Sequence, residues 1–423
     1  MRKYILLLLA FVFFVFSGCQ KDDLNEQETI IENRDFYEFM KEWYYWNDKI
    51  PEIDPARFEN VFEVLEAIRY RPLDRWSFIE DWNTLYAYIV EARIIGYGIG
   101  LFWDQQGFLR IGFLHNNTEM YERGVRRGWI IERINGVSVS PGLNITQMLG
   151  PDQIGVSNTF HFRTPQNTLV QVEVQKREII ANAILHREII ETGGRRIGYL
   201  VLQQFRGLNL ENELNQAFSE FAAVGIEELI LDMRYNGGGL VIPANRLASL
   251  IAGPSFANMP FVKFEYNANK SNEHNETVNL LSLENSLSLN RLIVITTRGT
   301  ASASELVING LRPFINVVVV GSTTYGKPMG ANIFSYNNKW AFVPITFKGR
   351  NANNEGDFFN GIPANIPAPD DLTRNFGDPL EASLHTALEY IRTGVTVGIK
   401  VAEPPVRQPW EDMEGIRREA RIH

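Results

Sequence analysis

Between residues 35 and 68, apolar residues recur every three or four positions, the spacing that places them on one face of a helix. One stretch carries an aromatic stripe made of Phe36, Phe39, Met40, Trp43, Tyr44 and Trp46. A second stretch runs from Phe58 to Ile68, and Pro51 and Pro55 separate the two. The pattern predicts a small N-terminal helical domain over residues 35–92, with the aromatic stripe in its core.

From residue 93 to residue 178 the pattern changes to short apolar runs separated by glycines. Residues 98–103 and 108–113 are two such runs, and Asn135-Gly136 lies between two others. Asn-Gly between β-rich runs is a strong signal for a tight hairpin turn. We therefore predict a separate β domain here.

Residues 179–392 alternate between strand-like and helix-like segments. The predicted strands are 197–202, 228–232, 291–297 and 316–320, and the predicted helix is 210–224. Such alternation indicates right-handed crossovers and a mostly parallel sheet. The charged residues 393–423 are expected to form a peripheral C-terminal extension.

The first residues have the pattern of an export signal. Met1-Arg2-Lys3 is followed by an apolar run over residues 4–16. A helix of that length reaches about 20 Å, too short for a hydrocarbon core of roughly 30 Å. Residues 1–18 are therefore predicted to be a secretory signal peptide.

The signal ends in Ser17-Gly18-Cys19, which resembles a bacterial lipobox, and Cys19 is the single cysteine of the chain. This resemblance implies that Cys19 carries lipid and that the protein is an exported outer-membrane lipoprotein, periplasmic or surface-exposed. The alternative is an ordinary signal peptide with an incidental cysteine. Polar, acidic residues 19–34 are expected to be a flexible tether. Their start resembles a Bacteroidetes surface-export signal, or is a plain solvated spacer.

Composition narrows the function classes. The 423 residues are 45% hydrophobic and 22% charged, which is typical of a globular protein. One cysteine excludes a disulfide framework and a cysteine-based zinc site. A net charge of −9 gives no electrostatic reason to expect nucleic-acid binding. The histidines have no ligand-like spacing, so we expect neither a metal nor a cofactor.

Three segments of the α/β region carry candidate chemistry. The first, residues 232–240, ends a strand in three glycines whose backbone N–H groups can converge as an oxyanion hole. The second, residues 299–306, brings Ser302 to a helix start, where it is either an N-cap or a nucleophile near the helix dipole. The third, residues 317–328, is nearly a phosphate-binding loop, but Pro328 replaces the metal-binding Ser or Thr. A hairpin-like segment follows instead of a helix, so nucleotide binding is rejected.

Residues 124–137 resemble the signature of a PDZ domain, with Trp129 in place of the usual Asp. This resemblance implies that the loop containing Gly98, Ile99, Gly100 and Leu101 receives a peptide C-terminal carboxylate, and that the peptide is added as a strand to a sheet edge. A glycine-rich turn in an unrelated β domain is the alternative.

Taken together, Asp-x-Arg-x-Asn-x-Gly-Gly, Thr-Ala-Ser-Ala-Ser-Glu and Thr-Tyr-Gly-Lys resemble the three motifs of the C-terminal processing (tail-specific) serine peptidases. The resemblance implies an α/β crotonase-like (ClpP/crotonase) peptidase core over residues 179–392, with a PDZ domain and a small N-terminal helical domain. It also implies a Ser-Lys dyad of Ser302 and Lys327, with Gly238 and Ala303 as oxyanion-hole donors. The implied substrates are proteins or peptides with exposed C-termini.

Two positions depart from the family pattern. Ala331 stands where some members have a Gln that orients the Lys, and Pro313 where some have an Asp. A lysine acts as a base only when it is neutral, which burial favours. We therefore expect Lys327 in an apolar, partly closed pocket without a carboxylate partner. A catalytically inactive peptide-binding protein is the alternative, and an acyl-CoA enzyme on the same core is disfavoured by the export signal.

Overall fold

The structure is a computed structural model that describes residues 19–399 and 408–409. The predicted signal peptide and most of the predicted C-terminal extension lie outside these residues. Within the described ranges, no helix combines the length and the apolar character that crossing a membrane requires.

The N-terminal region is mixed rather than purely helical. Its elements are α1 (Cys19–Trp43), α2 (Val61–Ile68), β1 (Phe78–Asp81) and α3 (Trp82–Val90). Asn60 caps α2 by accepting from the Glu63 N–H, and Asp81 caps α3 by accepting from the Thr84 N–H.

The prediction of a flexible tether over residues 19–34 is wrong, because these residues form the first part of α1. Asn33 is fully buried, and its side-chain amide donates to the carbonyl oxygens of Pro55 and Phe58. These contacts to residues more than twenty positions away hold the helix against the domain. A polar composition did not indicate flexibility here.

The N-terminal region does not have a core of its own. The buried face of α1, with Phe36 and Met40, packs with Met329, Phe342 and Ile345 from the far end of the sequence. Strand β1 also pairs with a strand of that later region, with Phe78 opposite Val343. The region is therefore an integral wall of the α/β domain.

The β domain follows, with strands between Arg93 and Ile180. Its elements are β2 (Arg93–Gly96), β3 (Ile99–Trp103), β4 (Leu109–Leu114), α4 (Glu119–Glu122), β5 (Ile130–Ile134), β6 (Val137–Ser138), α5 (Ile145–Leu149), β7 (Ser157–Arg163), β8 (Leu169–Gln175) and β9 (Arg177–Ile180). The main sheet has the order β3-β4-β5-β7-β8, which places β3 at its edge. Asn135 and Gly136 have φ angles of 51° and 79° and form the tight β5–β6 turn, as predicted.

The α/β domain contains the remaining elements. Its strands are β10 (Ile184–Thr192), β11 (Arg195–Leu202), β12 (Glu228–Asp232), β13 (Pro260–Tyr266), β14 (Glu276–Asn279), β15 (Arg291–Thr296), β16 (Asn316–Gly321), β17 (Met329–Ala331), β18 (Phe334–Tyr336), β19 (Trp340–Val343), β20 (Ile345–Arg350) and β21 (Ile366–Pro367). Its helices are α6 (Leu210–Val224), α7 (Val241–Ala252), α8 (Ser271–His274), α9 (Ala303–Leu311) and α10 (Ala382–Thr393).

The predicted parallel sheet is present. Its strand order is β10-β11-β12-β15-β16-β21, and every pair except β10–β11 is parallel. Helices α6, α7 and α9 cover one face and α10 covers the other, so residues of both faces are buried. A second sheet, ordered β14-β13-β20-β17, stands beside the ends of the parallel strands and borders the site described next.

Candidate active site

The segment that follows β12 approaches the start of α9 very closely. Gly238 and Gly239 have φ angles of 105° and 140°, which favour glycine. A Cβ atom added to Gly238 would lie 2.8 Å from the Ser302 Cβ and 3.0 Å from the Ala303 nitrogen. No side chain fits at position 238, so the first and second motifs meet here, as the sequence implied.

Ser302 occupies the N-cap position of α9 in an unusual backbone conformation. Its φ and ψ angles are 57° and −117°, in a region that residues with a Cβ rarely adopt. Such a conformation costs about 1–3 kcal/mol and persists only where the surroundings impose it. The strain distinguishes Ser302 from an ordinary N-cap serine, whose backbone is extended.

A single buried carboxylate connects Ser302 with Lys327. The Glu305 Oε2 atom accepts from the Ser302 backbone N–H at 2.9 Å and from the Lys327 backbone N–H at 2.8 Å. Its Oε1 atom accepts from the Thr324 hydroxyl at 2.5 Å and from the Gly326 N–H at 2.6 Å. Glu305 therefore fixes the backbone of both members of the predicted dyad. Glu305 is the last residue of the Thr-Ala-Ser-Ala-Ser-Glu motif, but the sequence alone indicated no role for it.

The electrostatics of Glu305 are set by two opposing effects. Burial raises the pKa of its carboxyl above the ordinary value, while the four hydrogen bonds limit the rise. All four donors need an acceptor, which the ionised carboxylate supplies in full.

Lys327 follows β16 and lines the same cavity as Ser302. This cavity has a volume of about 130 Å³. Its walls are mainly apolar and include Leu306, Met329 and Phe347.

The cavity wall also includes residues that sequence reasoning did not connect with the site. Trp76, Phe78, Leu85 and Ile89 of the N-terminal region line it. They lie more than 200 positions before Ser302, and nothing in their local pattern distinguishes them from core residues. Only the packing of the N-terminal region against the α/β domain brings them here.

One predicted oxyanion donor is engaged elsewhere. The Gly238 N–H donates to the Asn236 Oδ1 atom at 2.9 Å. Gly238 lies beside Ala303, as the resemblance implied, while its N–H group is bonded to the Asn236 side chain in this structure. The physical reason is that Asn236, two residues earlier, turns its side-chain oxygen back onto the glycine loop.

Asn236 connects three segments of the site. Its Nδ2 group donates to the Leu202 carbonyl at 3.1 Å. Its own carbonyl oxygen accepts from the Ala301 N–H and from the Ser304 hydroxyl, both at 3.0 Å. This fully buried residue thus ties the end of β11 and the Ser302 loop to the glycine loop.

The residue pattern after Lys327 gives no side chain equivalent to the family Gln. Ala331 offers no polar atom, and the neighbouring Asn332 directs its Oδ1 to the hydroxyls of Tyr266 and Thr346, at 3.1 and 2.6 Å. Pro313 follows the end of α9.

The four residues of the predicted carboxylate loop lie in the β domain, away from the cavity wall. Gly98 has a φ angle of 69° and precedes β3, while Ile99, Gly100 and Leu101 begin that strand. All four are buried. The structure therefore places them at the edge strand of the β-domain sheet and does not bring them next to Ser302.

A buried ion-pair cluster joins the β domain to the strand that leads to the glycine loop. We define it as Arg127, Asp232, Arg234, Asp370 and Glu381. Arg234 has no exposed side-chain surface and contacts Asp232, Asp370 and Glu381 at 2.7–2.8 Å. Burial alone would raise the pKa of Asp370 and of Glu381, but the two guanidinium groups hold both below their usual range.

Histidine chemistry contributes nothing to the site. His115 is fully buried at the end of β4, where its Nδ1 atom accepts from the Asn182 backbone N–H at 3.1 Å. Burial lowers the pKa of His115 to about 4. Among the residues that the structure describes, no cluster of histidine, cysteine and acidic side chains has a metal-binding arrangement.

Comparisons with known proteins agree with the geometry. A model of peptidase family S41 matches residues 196–368, and a model of the peptidase S41 N-terminal domain matches residues 32–78. Together these matches cover just over half of the chain.

Two curated relatives carry names of the same kind. The chain is similar to a carboxyl-terminal-processing protease of Synechocystis, at 24% identity over 62% of this chain and 61% of the relative. It is also similar to the chloroplastic carboxyl-terminal-processing peptidase 1 of Arabidopsis thaliana, at 27% identity over 50% of this chain and 42% of the relative. The chain thus spans about 40–60% of the length of these relatives.

Solved structures share the fold. A Bacteroides fragilis protein assigned to the S41 proteases aligns with a TM-score of 0.71 at 22% identity, over 86% of this chain and 97% of that one. A photosystem II D1 C-terminal processing protease aligns with a TM-score of 0.51 at 17% identity, over 81% of this chain and 93% of that one.

Proposed function

Because the chain belongs to peptidase family S41 and has its fold, we propose that it is a serine endopeptidase that cleaves proteins near their C-terminal tails. The names of the curated relatives support this substrate class. One observation carries the proposal for this chain. A single carboxylate, Glu305, holds the backbones of a strained Ser302 and of Lys327 beside one apolar cavity.

The arrangement supports an acyl-enzyme mechanism. The neutral Lys327 amine takes the proton of the Ser302 hydroxyl, and the oxygen attacks the carbonyl carbon of the peptide bond. The C–N bond then breaks, and the lysine returns the proton to the leaving amine. Water subsequently hydrolyses the acyl-enzyme with Lys327 again as the base.

The oxyanion of the tetrahedral intermediate is assigned to the backbone N–H groups of Ala303 and Gly238. Ala303 offers its N–H at the N-terminus of α9, where the helix dipole favours negative charge. The Gly238 N–H must exchange its bond to Asn236 for a bond to the oxyanion. The bond between Gly238 and Asn236 must therefore break before both N–H groups of the oxyanion hole are available.

We assign the β domain as a PDZ domain that captures the substrate tail. Support comes from its five-stranded antiparallel order, from the edge position of β3 and from the glycine with positive φ before that strand. An extended peptide adds to such an edge by main-chain hydrogen bonds.

The experiment that tests the function compares three proteins on a substrate with an unfolded C-terminal tail. Ser302→Ala and Lys327→Met are each expected to lose cleavage by about 10³-fold or more in kcat/KM. Ser335→Ala, an exposed serine on β18, is the matched control and retains wild-type activity. Cleavage by Ser302→Ala at the wild-type rate would exclude Ser302 as the nucleophile.

A second candidate is a catalytically inactive tail-binding protein. It is favoured by the bond between Gly238 and Asn236 and by Ala331 in the place of the family Gln. Tail binding without detectable cleavage by the wild-type protein would support it over the peptidase.

We also propose that the protein is exported and is anchored to a membrane by lipid on Cys19. The support is the sequence of residues 1–19 alone. Membrane fractionation of cells that express wild-type protein or Cys19→Ala tests it. A variant that fractionates with the membrane like the wild type would argue against the anchor.

A further inference from the structure

The edge strand of the β domain already has a contact along its open side. The Trp103 backbone N–H donates to the Gln408 Oε1 atom at 2.8 Å, and the Gln408 Nε2 group donates to the Trp103 carbonyl at 3.1 Å. Both hydrogen bonds of one β3 residue are thus made by one side chain from the C-terminal segment. Pro409, the next residue, is buried.

This contact has the geometry of an added strand. In an antiparallel pair, alternate residues direct both backbone groups toward the partner strand or away from it. Trp103 lies opposite Leu109 of β4 yet bonds Gln408 with both groups, so these groups point to the open edge. Leu101, two residues earlier and on the same side of the bulge, presents its backbone groups in the same direction.

A glutamine side chain can replace a peptide group in this role. Its amide has the same acceptor oxygen and donor nitrogen as a backbone peptide unit. Gln408 therefore satisfies at Trp103 the groups that a docked peptide strand would satisfy.

The chain nine positions before Gln408 is fixed on the α/β domain. The Ile399 N–H donates to the Pro367 carbonyl at 2.7 Å, on the outermost strand of the parallel sheet. Residue 408 lies nine positions after residue 399. Because Gln408 belongs to the same chain as β3, its contact with Trp103 is intramolecular, and an external ligand must compete with it from solution.

We propose that the Gln408 side chain occupies the edge of β3 at Trp103 in the resting protein and competes there with the C-terminal tails of substrates. The proposal rests on the proposed tail capture by the β domain. It adds that the chain regulates this capture with its own residues. A tail that binds must displace Gln408 from Trp103, and only sequences that pair more strongly with the edge do so.

The competition has a measurable consequence. If the occupied form exceeds the open form by about ten to one, the apparent Kd of an external tail is raised by about tenfold. Removing the Gln408 amide therefore tightens tail binding by that factor while leaving Ser302 and its surroundings unchanged.

The test uses the full chain with Ser302→Ala as the background, so that no peptide is consumed. Gln408→Ala is compared with the parent and with Gln216→Ala, an exposed glutamine on α6 that serves as the matched control. Hydrogen exchange of the segment 99–104 measures the contact without any ligand. Fluorescence anisotropy of a labelled decapeptide with a free C-terminal carboxylate measures competition, and its amidated form reports tail specificity.

The expected result is faster exchange of residues 99–104 and about tenfold tighter binding in Gln408→Ala only. Unchanged exchange would mean that Gln408 does not protect β3, and the proposal would be overturned. Faster exchange with unchanged peptide affinity would overturn the competition while leaving tail capture intact. Faster exchange with no peptide binding by any variant would contradict tail capture itself, and with it the competition.

Discussion

Two of the sites that bury carboxylates in this molecule stabilise them in opposite ways. Glu305 receives four hydrogen bonds from backbone N–H groups and one hydroxyl. The ion-pair cluster instead places three carboxylates, Asp232, Asp370 and Glu381, around two guanidinium groups. The first site holds the proposed dyad and the second joins two domains.

The difference shows which structural role suits hydrogen bonds to a carboxylate and which suits ion pairs. Dipoles from neighbouring peptide groups fix the Glu305 carboxylate, which in turn holds the backbone N–H groups of Ser302 and Lys327. Ion pairs join side chains from distant segments, such as Arg127 of the β domain and Asp370 of the α/β domain. Removing a partner therefore has a geometric cost at the first site and an electrostatic cost at the second.

The largest effect is expected from Arg234→Met, which keeps much of the side-chain volume but removes the charge. Asp232 and Glu381 would remain buried without their main cation. Breaking a buried pair in this way costs about 3–5 kcal/mol of unfolding free energy. Denaturant unfolding measures the loss. Arg187→Met breaks a partly exposed pair with Glu220 and is the control, with a loss of at most about 1 kcal/mol. Equal losses in both variants would contradict the distinction.

The second-largest effect is expected from Glu305→Gln, which changes the hydrogen bonding at the Glu305 site (here called the dipole site) with little change in side-chain volume. An amide offers one acceptor oxygen, so one pair of donors now faces an NH₂ group. The resulting displacement of Ser302 or Lys327 is expected to lower kcat by about a hundredfold. Steady-state kinetics measure it, and exposed Glu284→Gln is the control. A wild-type kcat in Glu305→Gln would show that the carboxylate does not position the dyad.

His115 is a buried titratable group outside both sites, and burial alone shifts its pKa. Its effect on stability should therefore depend on pH. Its pKa is about 4 in the folded protein against 6.5 in the unfolded chain, because burial disfavours the charged form. The unfolded chain therefore binds more protons below pH 6.5. Stability is fully present above that value and falls as the pH drops toward 4, by about 2 kcal/mol at pH 5. Unfolding curves at pH 7 and pH 5 measure this dependence. His115→Gln, which keeps an acceptor for the Asn182 N–H, is expected to reduce the loss, and an unchanged loss would contradict the assignment.

The smallest effect concerns one donor of the dipole site. Thr324→Val removes the hydroxyl that donates to Glu305 and accepts from the Ile362 N–H at 2.7 Å. One hydrogen bond of this kind contributes about 1 kcal/mol, so kcat is expected to fall by about fivefold. Thr324→Ser keeps the hydroxyl and should retain kcat in the same assay. A loss in Thr324→Val as large as that in Glu305→Gln would show that the four donors are not independent.

The sequence predicted the parts of the fold whose signals are local. The strands ending at Asp232 and Thr296 and the Asn135-Gly136 turn follow from runs of apolar residues and from turn chemistry. The family resemblance read from the three motifs agrees with the family matches. The position of Gly238 beside Ser302 and Ala303 agrees with what the family resemblance implied.

What the sequence did not predict depends on contacts between distant segments. The polar stretch before residue 35 is helical because Asn33 reaches Pro55 and Phe58. The engagement of Gly238 by Asn236 is a choice of side-chain rotamer that a motif does not encode. Arg127 and Asp370 are 243 positions apart, and neither carries a local signal of its partner.

The central claim is that Glu305 holds Ser302 and Lys327 in positions where they can react. Covalent labelling of Ser302 by a fluorophosphonate tests this claim most directly. Intact-mass spectrometry would follow the labelling rate in wild type, Lys327→Met and Glu305→Gln between pH 6 and pH 9. We expect rapid labelling of the wild type, none in Lys327→Met and slow labelling in Glu305→Gln. Labelling of Lys327→Met at the wild-type rate would contradict the account.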